Sequence, residues 1–138
     1  MKTVLMLITL CGLLPKALAQ APQLEITVTK VTNASGTMII TVVDKPEDWM
    51  KPSYFSIVRL PVSSTDDVVW VIDDVPAGTY AVSVIQDLNG NGVLDASFLG
   101  LPKEPYGFSG SKSILPPKFN KASFAVGTDN VRVTVPLK

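Results

Sequence analysis

The chain has 138 residues carrying 12 basic and 12 acidic side chains, with a single cysteine and no histidine. The lack of histidine excludes the Ser-His and Cys-His pairs that activate nucleophiles, together with the commonest zinc ligand. Charges are scattered, with Arg59 and Arg132 isolated among spaced lysines, so the clustered cations that grip nucleic-acid phosphates are missing and no nucleic-acid partner is expected.

Lys2 precedes an apolar run from Val4 to Leu14, and Ala17-Leu18-Ala19 places small residues just before Gln20. This is the pattern of a cleavable signal peptide over residues 1–19, and the run is too short to span a bilayer. Lipid attachment at Cys11 is disfavoured because Leu10 stands where a small residue is needed. The expectation is an exported protein, periplasmic or extracellular, whose mature domain is residues 20–138. That length supports one core without cross-links. Cys11 leaves with the leader, so the mature chain has no thiol and no disulfide. Lys2 and Lys16 leave too, which gives a slight acidic excess. No later stretch is long and apolar enough to insert the mature chain into a membrane.

Leu24, Ile26 and Val28 alternate with Glu25, Thr27 and Thr29, which marks a strand with one buried face. Met38, Ile40 and Val42 repeat the pattern, and Asn33-Ala34-Ser35-Gly36 between the two runs supplies turn formers that predict a hairpin. Lys45 to Lys51 fits a single helical turn around Trp49. Further strands are predicted at Tyr54 to Leu60, Val68 to Ile72, Thr79 to Gln86, Ala122 to Val126 and Val131 to Leu137. About seven short strands at this spacing, with no sustained helical period, predict an all-β fold, an antiparallel two-sheet sandwich. Ala96 to Phe119, rich in Pro and Gly, is one long loop. Its Phe98, Leu99, Leu101, Tyr106 and Phe108 argue that it folds back over one end of the sandwich, where they gain burial.

One stretch carries chemistry. Asp87-Leu88-Asn89-Gly90-Asn91-Gly92-Val93-Leu94-Asp95 places oxygen-bearing side chains at loop positions one, three, five and nine, glycine at six and the Val93 carbonyl at seven. Ca²⁺ takes six to eight oxygens at about 2.3–2.6 Å, so alternate residues of a tight loop must converge around it. The candidate ligands are Asp87, Asn89, Asn91, Val93 and Asp95, with Glu104 as a source of a further oxygen. Position twelve is Phe98 instead of a bidentate glutamate, and no amphipathic helices flank the loop, so this is not an EF-hand. The same residues also make plain tight turns in which Asn and Asp bond their own backbone. A Ca²⁺ ion is thus one reading, and no cofactor is the other.

Other features lead nowhere sharp. Ser109 lacks nucleophile-elbow spacing and has no base. Asp95 and Glu104 form a conceivable acid-base pair for glycoside hydrolysis only if they face each other across a cleft. Trp49, Trp70, Tyr54 and Tyr106 form a glycan or peptide platform if exposed, though core packing is the commoner fate. Trp70 points opposite to Val69 and Val71, which makes it either the outer face of its sheet or a plug under the long loop, and the plug is favoured. Asn33-Ala34-Ser35 is a formal glycosylation acceptor and otherwise a turn.

The chain resembles the bacterial exported family known as domain of unknown function 2141. The resemblance is carried by Val75-Pro76-Ala77-Gly78-Thr79-Tyr80-Ala81-Val82, the Asp87 to Asp95 loop, Phe98-Leu99-Gly100-Leu101-Pro102-Lys103-Glu104 and Tyr106-Gly107-Phe108-Ser109, followed by Pro116-Pro117, Phe119 and Phe124. It implies an immunoglobulin-like or prealbumin-like sandwich without an established activity. Gln86, Leu88 and Pro105 depart from the family pattern, which often has histidine, a polar residue and glycine there. The leading expectation is a non-enzymatic exported module, with calcium in the loop and a protein or glycan partner. An accessory or adhesion-type domain working without metal, through an open sheet edge, is the alternative. A carboxylate hydrolase is the third.

Overall fold

The computed structural model describes residues 20–138. The expected leader lies outside them. Eight strands are present among these residues: β1 (Leu24–Thr29), β2 (Thr37–Val43), β3 (Ser56–Pro61), β4 (Val68–Ile72), β5 (Gly78–Asp87), β6 (Tyr106–Phe108), β7 (Phe124–Val126) and β8 (Val131–Pro136). A 3-10 turn at Pro46–Asp48 precedes Trp49, and a single helical turn, α1 (Phe119–Ala122), precedes β7. One sheet runs β4-β1-β8; the other runs β3-β2-β5-β6, with β7 also pairing β5. The all-β, two-sheet sandwich is therefore as the alternation predicts.

Its core follows from that alternation. Leu24, Ile26 and Val28 of β1 meet Met38, Ile40 and Val42 of β2, Val82 and Val84 of β5 and Val135 of β8, all fully buried. Each such side chain contributes about 1.5–3 kcal/mol by leaving water. Trp70 is not a plug under the long loop, which lies on the other sheet; it pairs with Ile26 and packs against this core, while Val69 and Val71 face outward. Both sheets and the whole core come from residues 24–137.

Four further expectations need correction. β1 and β2 do not form a hairpin; they lie in different sheets. Residues 30–36 carry the chain across the sandwich, burying Val31 in the core, with left-handed Lys30 and Gly36 turning it at either end. The sandwich is not wholly antiparallel, because β1 and β8 pair in parallel from Leu24↔Val131 to Thr29↔Pro136. The run Ala122 to Val126 divides into the end of α1 and β7. The fourth concerns the long loop.

That loop covers a sheet face. Tyr106 and Phe108 of β6 pair with Ile85 and Ser83, so they share the outer face of the five-stranded sheet with Ile39, Val43 and Ala81. All five apolar residues are buried there, apart from the inter-sheet core. Trp49 closes this second layer: its ring N–H donates to the Pro117 carbonyl at 2.8 Å, and it meets Phe108 and Phe119 edge-on. Buried Ser109 accepts the Val82 N–H at 2.8 Å and donates to the Ala122 carbonyl at 2.6 Å, tying β6 to β5 and α1. Trp49 and Tyr106 are thus packed, Trp70 faces the core and Tyr54 is exposed, so the four do not form a shared aromatic platform. Phe98, Leu99 and Leu101, expected to be covered, are exposed instead.

Candidate metal centre

Asp87 is the last residue of β5, paired with Thr37 at the start of β2. Gly36 lies so close that a Cβ there would come within 2.3 Å of the Asp87 carbonyl oxygen, and its φ is +78°. Only glycine fits, and the strand pairing delivers Asp87 to the loop at a fixed place.

The Asp87 carboxylate is buried, and each of its oxygens accepts a backbone N–H at 2.8 Å, Oδ1 from Gly90 and Oδ2 from Gly92. Both glycines have φ near +80°, which lets their N–H groups turn back on one side chain. Asn89 Oδ1 accepts from Asn91 N–H at 3.2 Å, and Asn91 Oδ1 from Val93 N–H at 3.1 Å. The Asn91 side-chain amide donates to both Asp95 oxygens at 3.0 Å, and the Asn89 amide donates to Asp95 Oδ2. Buried Glu104 reaches in from the next segment, accepting the Leu88 N–H at 2.8 Å and the Asp95 N–H at 3.1 Å. It clamps the two ends of the loop together.

Asp87, Asn89, Asn91, Asp95 and Glu104 are therefore gathered in one hydrogen-bonded loop, while the Val93 side chain points into solvent. Each oxygen that accepts one N–H keeps a further lone pair. Among the described residues no three His, Cys, Asp or Glu side chains come together as a metal group. A cation here would accordingly depend on the Asn amide oxygens and would have to displace the amide nitrogens that face Asp95. The loop residues Leu88, Asn89, Asp95, Ala96, Lys103 and Glu104 line a hollow of about 430 Å³. Glu104 accepts from backbone donors and Asp95 from side-chain amides.

A family model described as an uncharacterized protein conserved in bacteria (DUF2141) matches residues 26–134. The chain belongs to this family. The matched span runs from β1 into β8 and takes in the whole loop with Glu104. No curated protein and no solved structure matches the chain.

Sequence reasoning noted Gln86 only as a departure from the family pattern and missed its place in the fold. It is fully buried on the inward side of β5, where its amide nitrogen donates to the Asn33 and Ser35 carbonyls at 2.7 and 2.9 Å, while its side-chain oxygen has no partner among the described residues. Its signal was a polar residue continuing the inward series Tyr80, Val82 and Val84. The role is structural: it holds the crossing between sheets beside the loop.

Proposed function

We propose that this family member is an exported, non-enzymatic module whose Asp87–Asp95 loop holds a structural calcium ion. The observation that carries the reading is the joining of Asp87, Asn89, Asn91 and Asp95 into one hydrogen-bonded turn braced by Glu104. Such a turn supplies hard oxygen donors from alternate positions, the arrangement that suits Ca²⁺. Two loop carboxylates favour weak binding. With a dissociation constant of about 10⁻⁴ M in about 1 mM calcium, linkage adds about 1.4 kcal/mol, enough to raise the melting temperature by roughly five degrees. Export is supported by the Lys2, Val4 to Leu14 and Ala17-Leu18-Ala19 pattern, and periplasm or medium is the expected place of action. The lack of histidine supports a non-enzymatic role.

Calorimetry with calcium, paired with thermal unfolding in calcium and in chelator, tests the ion. Asp95→Ala should remove the calcium-dependent rise, and the partly exposed position makes this a cleaner probe than buried Asp87. No heat at millimolar calcium would dispose of the site.

A second reading, protein interaction through a sheet edge, is favoured by β4. This edge strand, Val68-Val69-Trp70-Val71-Ile72, has neither charge nor proline, and Val69 and Val71 are exposed. Asp66, Asp67, Asp73 and Asp74 flank it and repel a second copy in antiparallel pairing, which suits a partner strand with basic ends. Sedimentation that finds self-association lost in Val69→Lys would replace that partner with another copy of the chain.

A further inference from the structure

We propose that the hairpin tip Phe98-Leu99-Gly100-Leu101, with Ile114 beside Leu101, docks this domain peripherally onto an anionic lipid surface. Phe98 is 96% exposed, Leu99 70% and Ile114 72%. Phe98 and Leu99 are held outward by ordered backbone. Ser97 N–H donates to the Leu101 carbonyl at 2.7 Å, Gly100 N–H to the Ser97 carbonyl at 2.9 Å, and Lys103 N–H to the Asp95 carbonyl at 2.8 Å. An Ala96↔Pro102 bridge closes the base. The hairpin satisfies its own polar groups and leaves its apolar ones in water, the reverse of what burial favours.

The charge around the tip selects the partner. At the hairpin the exposed cation is Lys103, with Lys138 near it and exposed Lys112 in the next segment, while Asp95 at the hairpin base is turned to the Asn89 and Asn91 amides and buried Glu104 to backbone donors. Lys103 and Lys138 line the same hollow as Leu101 and Ile114. An apolar wedge edged by lysines matches the boundary between acyl chains and anionic phosphates. The tip is convex, and residues 98–101 offer no polar side chain with which to set an orientation in a protein groove. A fluid apolar layer requires none. Among the described residues no helix is long and apolar enough to cross a membrane, and attachment here is by side chains at the surface.

The docking does not rest on the calcium reading. Flotation uses the chain from Gln20 onward, which contains both sheets and the whole core, with vesicles of equal parts phosphatidylglycerol and phosphatidylcholine. It is run in calcium and in chelator. Association is expected in at least one buffer. Phe98→Ser with Leu99→Ser should weaken it by about a hundredfold at an unchanged melting temperature. Lys103→Gln with Lys112→Gln should weaken it by about twentyfold and abolish the preference over pure phosphatidylcholine. No association in either buffer overturns the proposal. So does a serine variant that binds like the parent, or a protein partner captured through Phe98 while vesicles are ignored.

Discussion

The segment between β5 and α1 is ordered in two different ways. From Leu88 to Glu104 the chain is held by polar groups: Asp87 collects the Gly90 and Gly92 N–H groups, Glu104 collects those of Leu88 and Asp95, and Phe98, Leu99 and Leu101 point to water. Tyr106 to Ser109 and the α1 turn are held by strand pairing and burial, with Phe108 enclosed between Trp49 and Tyr106. Polar satisfaction fixes a shape but adds little net stability, because water offers the same bonds to the unfolded chain. Burial stabilises strongly. The first half is therefore free to be spent on binding, and the second fastens it to the sandwich.

Substitutions can break or sharpen this contrast. The largest effect is expected for Phe108→Ala, which should cost about 3–5 kcal/mol by leaving a cavity in the outer layer, read by chemical denaturation. Ser109→Ala should cost about 2 kcal/mol, since the Val82 N–H and the Ala122 carbonyl both lose a buried partner. In the polar half, Glu104→Gln should cost about 1–2 kcal/mol and speed hydrogen exchange at the Leu88 and Asp95 amides. A cost as large as that of Phe108→Ala would falsify the contrast.

The sandwich supplies a yardstick near about 1 kcal/mol in Tyr80→Phe, which removes the bond from the tyrosine hydroxyl to the Pro76 carbonyl. Burial, with the nearby Asp44 charge, raises the Tyr80 pKa above its ordinary value. The stability linked to its protonated form is whole below the ordinary tyrosine pKa and is lost as the pH climbs from there through the raised value. Tyr80→Phe should flatten that alkaline limb in pH-dependent denaturation. Smallest of all, Phe98→Ala should change stability by under about 0.5 kcal/mol, because the parent ring touches water on nearly every side.

Most strands were legible because each buries one face, and the alternation of Leu24, Ile26 and Val28 or of Tyr80, Val82 and Val84 records that directly. Partnership was not. The same turn formers at Asn33 to Gly36 serve a hairpin or a crossing, and what decides is the burial of Val31 and the hold of Gln86 on the Asn33 and Ser35 carbonyls. β6 escaped notice because three residues with glycine in the middle have no period. That glycine is required, since a Cβ on Gly107 would come within 2.7 Å of the Pro136 carbonyl oxygen. Its cover comes from Trp49, far away in the chain. The spacing of the oxygen-bearing residues from Asp87 to Asp95 could be read outright, whereas the clamp at Glu104 depends on how the 95–103 hairpin folds back. Composition pointed Phe98 and Leu99 inward, and a locally self-satisfied hairpin turned them out.

The side-by-side, same-direction course of the first and last strands has a practical corollary. Gln23 sits next to Asn130 at one pole of the domain, whereas Lys138 exchanges backbone bonds with Tyr106 at the other, beside the hollow lined by Leu101 and Ile114. An affinity tag fused after Lys138 would crowd the loop pole. One placed ahead of Gln20 would leave it clear, so immobilisation through that end presents the whole oxygen-rich turn and its greasy neighbour to the surrounding fluid.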